Sequence, residues 1–300
     1  MAERGIDMGT ALAASPPMSE ADFVQVRQEG FVLLVRPGLR GDDLVQDLMA
    51  GETQMGRRYA LKRIPSAASS RVFRFSASIE GTARLVYFKE YVDRSLWDGL
   101  KHAVRASRAR RALRGSLVLA EGGLAVPEVV AIGEKRTRFL TKRCFLLTLA
   151  VTESLSVYTL LSKDSGGLDA VELHRKRDLI RTLGHTIGRM HAQGIVHGDL
   201  RPGNVLGRFR AGQWELFFLD NERTCRFPWL PARLRRKNLV QIGMLLTGIT
   251  RTDRFRFWQA YLAESPRLGP RQKGWARRIH ARTIERLRKW TDSQGTDGSG

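Results

Sequence analysis

His197-Gly-Asp-Leu-Arg-Pro-Gly-Asn-Val-Leu206 is the stretch that decides how the rest of the chain is read. Asp199 and Asn204 stand five residues apart, with His197 two before the acid. An aspartate in such a loop can take a proton from an acceptor hydroxyl, and an amide oxygen nearby can hold a hard divalent cation. Pro202 fixes the loop backbone, and Gly203 lets it turn without a Cβ clash. Apolar pairs flank the polar run, Ile195-Val196 before it and Val205-Leu206 after it. Asp, Pro, Gly and Asn are ordinary turn residues, so none of them is informative alone. Their fixed spacing, with the apolar flanks, separates a catalytic loop from a surface turn.

The spacing is that of H-R-D-L-x-x-x-N, the catalytic loop of protein-kinase-type phosphotransferases, in which the Asp orients the acceptor hydroxyl and the Asn holds Mg²⁺. Such a loop needs a second metal-binding acid at the end of a following strand. Trp214-Glu-Leu-Phe-Phe-Leu-Asp-Asn221 supplies Asp220 at the end of an apolar run. Its sequence continues Asp-Asn-Glu, without the Phe and Gly of D-F-G, and Gly198 replaces the Arg before the catalytic Asp. Control by phosphorylation of an activation loop is therefore not expected. Arg201 lies two after Asp199, where protein kinases usually carry Lys; its planar fork suits phosphate oxygens.

Three hundred residues, 42% of them hydrophobic, are enough for one two-lobed core. No apolar run approaches the ~20 residues of a membrane-spanning helix, and the first residues lack the pattern of a secretory signal. Two cysteines, Cys144 and Cys225, cannot build a zinc cluster or a disulfide framework, so a reduced cytoplasmic setting is the default. Fifty-one Lys and Arg against thirty acids give a net charge of +21. That surface suits nucleic acid, anionic lipid headgroups or an acidic substrate. Aromatic residues fall mostly in apolar runs rather than among the basic ones, which argues against nucleic acid.

Read in order, residues 1–20 and 291–300 are small, polar tails. Residues 21–150 form a strand-rich N-lobe: two strands around Glu29-Gly30, a short helix over Asp42–Ala50, then strands over Tyr59–Ile64, Arg71–Ser78, Arg84–Val92, Val129–Gly133 and Arg138–Ala150. Residues 151–290 form a helical C-lobe, with helices over Leu155–Ser162, Ala170–Gln193, Leu234–Leu246, Arg254–Ala263 and Lys273–Trp290. In Ala170–Gln193, Leu179, Leu183, Ile187 and Met190 make one stripe and Gly194 is the stop. The fold class is α+β: a bilobal protein-kinase-like fold with an antiparallel-sheet N-lobe and a small, mainly helical C-lobe.

Alternation in Arg84–Val92 puts Leu85, Tyr87, Lys89 and Tyr91 on one face. Lys89 sits where a kinase keeps the lysine that pairs with the α- and β-phosphates of ATP. The turn Ser66-Ala-Ala-Ser-Ser70 takes the place of a glycine-rich phosphate loop, so Ser66, Ser69 and Ser70 are expected at the nucleotide although G-x-G-x-x-G is missing. Thr148 and Leu149 are expected at the hinge, with backbone groups toward adenine. A basic helix over Leu96–Ala120 carries Lys101, Arg105, Arg108, Arg110, Arg111 and Arg114, but no carboxylate in its body to pair with Lys89. Glu121, Asp98 or Asp220 would have to serve, because Glu90 alternates onto the opposite strand face. The same basic helix is a candidate surface for anionic membranes.

Over residues 55–250 the chain resembles the bacterial lipopolysaccharide kinases, the Kdo and heptose kinases of the protein-kinase-like superfamily. The resemblance rests on Leu85-Val-Tyr-Phe-Lys-Glu-Tyr91, Ser107-Arg-Ala-Arg-Arg-Ala112 with Val126-Pro127, the loop from His197 to Asn204, Leu219-Asp220, and Lys237-Asn-Leu239. It implies a cytoplasmic enzyme, peripheral on the inner face of the inner membrane, that uses ATP and Mg²⁺ or Mn²⁺ to phosphorylate a sugar hydroxyl of an anionic glycolipid. Many members of that family carry Glu where this chain has Ala112. Three rival readings are a small atypical Ser/Thr protein kinase, a catalytically weak kinase-fold scaffold and a nucleic-acid binder.

Overall fold

The computed structural model describes residues 19–39, 43–92, 106–136, 141–163, 165–245 and 247–296. Asp98, Lys101, Arg105 and the predicted helix start at Leu96 lie outside the described residues, as do 1–18, 297–300 and the strand start at Arg138.

Seven strands form the first layer: β1 (Val24–Gln28), β2 (Phe31–Val35), β3 (Lys62–Ile64), β4 (Ser70–Ile79), β5 (Thr82–Tyr91), β6 (Val129–Arg136) and β7 (Thr141–Leu149). All pairs are antiparallel, in the order β1-β2-β6-β7-β5-β4-β3. The hairpins β1–β2 and β4–β5 close on Glu29-Gly30 and Glu80-Gly81, both residues of each at positive φ. Such two-residue turns match the right-handed twist of the strands they join. In β5, Lys89 lies opposite Val72 of β4 and Leu146 of β7, which places it inside the sheet rather than at its edge.

The two faces of the sheet follow the alternation read from β5. Val86 and Phe88 join Leu33, Phe73, Phe75 and Phe145 under α1 (Asp43–Ala50) and α2 (Glu52–Arg58), which contribute Leu44, Leu48 and Met55. Each such fully buried side chain stabilises the lobe by ~1.5–3 kcal/mol. The helix α2, which the sequence pattern does not announce, delays the strand expected from Tyr59 until Lys62. Arg143 accounts for Glu90: its guanidinium binds that carboxylate and the Leu48 and Met49 carbonyls at the end of α1. The other face packs Tyr91, Val129, Ile132 and Cys144 against Ala109, Leu113 and Leu117 of α3 (Arg108–Glu121).

The helical part comprises α4 (Val157–Leu161), α5 (Ala170–Ala192), α6 (Ala232–Ile242), α7 (Arg251–Ala263) and α8 (Gln272–Thr296). Asp169 and Glu172 form a reciprocal capping box at the start of α5. Leu179, Leu183, Ile187 and Met190 are all buried, as their spacing predicts, and Gly194 ends the helix at φ 73°. α8 continues to Thr296, past the end expected at Trp290.

Five short strands cross this part: β8 (Ser154–Ser156), β9 (Ile195–Val196), β10 (Val205–Arg210), β11 (Gln213–Phe218) and β12 (Cys225–Arg226). β10 pairs with both β8 and β11, and β9 pairs with β12. The apolar flanks of the His197–Leu206 stretch are thus strands, and the loop between them is held at both ends. Among the described residues no helix is long and apolar enough to cross a membrane.

Candidate active site

The loop after β9 is built from the inside outward. His197 is fully buried. Its Nδ1 accepts the Asp199 N–H at 3.2 Å, so Nε2 carries the proton and donates to the Leu219 carbonyl at 2.8 Å and to Asn221 Oδ1 at 3.1 Å. Burial lowers the His197 pKa despite these acceptors, and the ring stays neutral. One imidazole therefore ties the Asp199 loop to the segment carrying Asp220.

Asp199 is anchored on both oxygens. Arg201 Nε at 3.0 Å and Gln241 Nε2 at 2.9 Å donate to Oδ1, and Asn204 Nδ2 donates to Oδ2 at 3.3 Å and to the Asp199 carbonyl at 2.9 Å. Because both partners of Asn204 Nδ2 are acceptors, the amide is oriented with its NH₂ on Asp199 and its oxygen turned away. Asn238 of α6 backs the loop, donating to the His197 carbonyl at 2.6 Å while its Oδ1 accepts the His197 N–H at 3.2 Å. That Oδ1 also accepts from Nε2 of His191, whose Nδ1 meets the Tyr261 hydroxyl at 3.0 Å. Burial pushes the His191 pKa down to about 3.

Asp220 follows β11 at φ 61°, ψ 47°, a left-handed conformation that Asp tolerates better than most residues. The turn behind it, Asn221–Arg223, is pressed against two glycines. A Cβ at Gly115 of α3 would collide with the Asn221 carbonyl, and one at Gly198 would collide with Arg223. The arginine expected before a kinase's catalytic aspartate has no room here, because the backbone of the Asp220 turn fills its place.

Lys89 Nζ is bonded to Asp220 Oδ1 and lies 5.2 Å from the centre of the Tyr91 ring. Asp220 is thus the partner taken up, out of the three acids considered from the sequence. Glu121 is bound to Arg226 at 3.4 Å instead. Ala112, where the family resemblance leads one to expect Glu, is buried. Two of the arginines of α3 turn toward acids on neighbouring elements. Arg108 binds Glu222 at 2.9 Å and Arg110 lies 3.4 Å from Glu134; Arg114 is the exposed one among those described. Two of this helix's cations are thus engaged by internal acids, while Lys101 and Arg105 of the expected basic surface lie outside the described residues.

In the serine turn, Ser66 Oγ donates to the Ser70 carbonyl at 2.8 Å and Ser70 N–H to the Ala67 carbonyl at 2.9 Å. The Ser69 carbonyl accepts from Val92 N–H at 3.0 Å and from Arg108 at 2.7 Å, so the turn is fastened beside the end of the lysine strand. At the hinge, Thr148 lies between Tyr87 and Val129. Leu149 donates its N–H to the Glu128 carbonyl at 2.9 Å, and its side chain packs on the N-lobe core. Its N–H is not available to a base.

Sequence reasoning missed Gln241, Arg108 and Glu222. Gln241 had a usable signal, since it lies three residues after Asn238 and thus on the same face of α6. Arg108 and Glu222 had none, because their pairing spans 114 residues.

A sheet whose inner strand presents a lysine to an aspartate at the end of a strand, over a loop with Asp and Asn five apart, is the architecture of a protein-kinase-like protein. The family model of the lipopolysaccharide kinases (Kdo/WaaP) matches residues 61–261, and the chain belongs to that family. A solved structure described as WaaP in complex with acyl carrier protein has the same fold, with a TM-score of 0.61 at 20% identity over 84% of this chain and 98% of that one. The EKC/KEOPS complex subunit bud32 of Aspergillus fumigatus is 35% identical over 52 residues, 16% of this chain. The match spans 19% of that curated relative's length.

Proposed function

We propose that the protein is an ATP-dependent phosphotransferase acting on a sugar hydroxyl, Kdo or heptose, of a lipopolysaccharide core, at the cytoplasmic face of the membrane. The observation that carries this reading is the opposition of two anchored groups. Lys89 reaches Asp220 from the sheet, while Asp199 is oriented from the loop by Arg201, Asn204 and Gln241.

In this reading residues 21–150 hold the nucleotide and residues 151–290 hold the metal and the acceptor. Asp220 and Asn204 offer a carboxylate and an amide oxygen, the hard donors that Mg²⁺ or Mn²⁺ takes alongside phosphates and water. The amide oxygen of Asn204 is the atom its own hydrogen bonds leave over. The cation, when bound, neutralises charge on the phosphate oxygens.

The chain's own residues do the rest. Lys89 exchanges Asp220 for α- and β-phosphate oxygens. Arg201, held through Nε, keeps its terminal nitrogens for the γ-phosphate. The serine turn, with Ser66, Ser69 and Ser70, borders the phosphates, and backbone groups of the hinge at Thr148 and Leu149 border adenine. Asp199 Oδ2 accepts the acceptor hydroxyl's proton and aligns that oxygen, which is most of what a loose phosphoryl-transfer transition state requires.

The acceptor chemistry follows the family. An anionic glycolipid also matches the net charge of +21, and exposed Arg277, Arg278, Arg282, Arg286 and Arg288 on α8 suit an anionic membrane surface. Acyl carrier protein, named with the WaaP structure, is a partner worth including in assays.

The test is transfer of the ATP γ-phosphate by purified protein with Mg²⁺ to delipidated core oligosaccharide and to a generic protein, with Asp199→Ala as control. Label on the sugar, lost in the control, is the expected result. Label on protein alone contradicts the reading and favours a small Ser/Thr protein kinase.

A further inference from the structure

The helix packed on the lysine strand carries an arginine one turn before Ala112, the position at which the family resemblance expects a carboxylate, and the turn after Asp220 carries a carboxylate. Arg108 stands four residues, one helical turn, before Ala112 and so on the same face of α3. Its Nε and one terminal nitrogen reach the two oxygens of Glu222 at 2.9 and 3.3 Å. The other terminal nitrogen reaches the Ser69 carbonyl at 2.7 Å. The guanidinium lies 4.7 Å from the centre of the Tyr91 ring, the same ring that carries Lys89. Both side chains of the pair are largely shielded, at 17% and 11% exposed.

We infer that Arg108 and Glu222 are positioning residues that form a charge-exchanged latch, taking over the task of the usual strand-lysine to helix-glutamate pair. The inference rests on the functional reading above. One guanidinium joins three pieces that must keep their spacing for Mg²⁺·ATP to fit: the serine turn, the lysine strand through Tyr91, and the turn that begins at Asp220. Neither member touches the reacting atoms.

The geometry explains why the exchange works in this chain. With Ala at 112, Lys89 lacks a helix carboxylate and rests on Asp220, which it must release when nucleotide binds. A carboxylate moved to Glu222 stays beside the metal acid without competing for Lys89, because Arg108 holds it in a bidentate pair. Gly115 and Ser116 fasten the same turn farther along α3, Gly115 by close approach and Ser116 through its Oγ, 3.0 Å from Asn221 Nδ2. The helix therefore sets the Asp220 turn at three points, and the latch is the one that also reaches the nucleotide side.

An ordinary buried ion pair would stabilise the fold without setting nucleotide affinity. The discriminating experiment is calorimetric measurement of the Mg²⁺·ATP Kd, well below the unfolding temperature. It compares the full chain, Arg108→Gln, Glu222→Gln, the double variant and Arg108→Lys. The latch predicts that each Gln variant binds about tenfold more weakly, and that the double variant is no weaker than the worse single. Arg108→Lys, which keeps the charge and loses the fork, falls between wild type and Arg108→Gln, and with Glu222→Gln it carries the test if Arg108→Gln does not fold. Single variants within twofold of wild type, or effects that multiply in the double variant, overturn the latch and leave the phosphotransferase standing. A wild-type chain that binds no Mg²⁺·ATP overturns the functional reading and the latch with it.

Discussion

The two sides of the cleft are held by different means. Asp199 is gripped by neighbours in its own loop, Arg201 and Asn204, and by Gln241 from the helix that backs it. Lys89 has no such local cage. It rests on an aromatic ring two residues away and on Asp220, 131 residues away. The acceptor side is thus preorganised mostly within its own loop, with one donor from α6, whereas the nucleotide side is set by how α3 and the Asp220 turn pack together. The difference predicts that lesions on the acceptor side strike the chemical step, and lesions on the other side strike nucleotide affinity.

The largest effect should come from Asp199→Asn. Loss of a positioned base lowers kcat by ~10²–10⁴-fold, while the Mg²⁺·ATP Kd should change less than about twofold because Asp199 is not among the metal donors. A comparable loss of nucleotide affinity would erase the division between the two sides.

Gly198→Ala probes the seam. A Cβ there meets Arg223, and relieving that overlap should cost ~1–3 kcal/mol. Thermal unfolding should report the loss, and activity should fall with it because the Asp220 turn must shift. An unchanged melting temperature would show that the seam is looser than its geometry indicates.

Gln241→Leu should be milder. Removing one hydrogen bond to a carboxylate costs ~1.5–3 kcal/mol at most, and Arg201 still holds the same oxygen, so about a tenfold or smaller fall in kcat is expected, with the ATP KM unchanged. A rise in KM instead would move Gln241 to the nucleotide side.

A further effect is on stability with pH, through His191. Its pKa in the folded protein is about 3, against the ordinary histidine value of 6.5, so the unfolded chain binds more protons between those values. The stability it contributes is complete above about pH 6.5 and is lost as pH falls toward 3, by up to about 1.4 kcal/mol per pH unit. Melting temperatures between pH 7 and 5 should fall less steeply for His191→Gln than for wild type.

Much of this arrangement is legible in the residues. The His197–Asn204 spacing, the apolar run into Asp220 and the alternation around Lys89 each encode their geometry within a few residues, and each side chain stands where that local pattern puts it. What is not legible depends on contacts between distant segments. The serine turn gives no clue that the Ser69 carbonyl meets Arg108, and a basic helix that reads as a candidate membrane surface turns two of its arginines onto Glu222 and Glu134. A charge run alone does not say which cations are spent inside. Near Thr148 and Leu149 the strand itself is plain from its apolar residues, but which N–H groups are already bonded there, as at Leu149, is a property of the neighbouring strands.

The measurement that bears most directly on the central claim is the site of the transferred phosphate. Core oligosaccharide is incubated with the protein, ATP and Mg²⁺, and the product is analysed by mass spectrometry and phosphorus NMR beside the Asp199→Asn variant. The account predicts one added phosphate on a Kdo or heptose hydroxyl with wild type and none with the variant. Unmodified sugar with phosphate found on Ser or Thr of a protein, or equal yields from both enzymes, would contradict it.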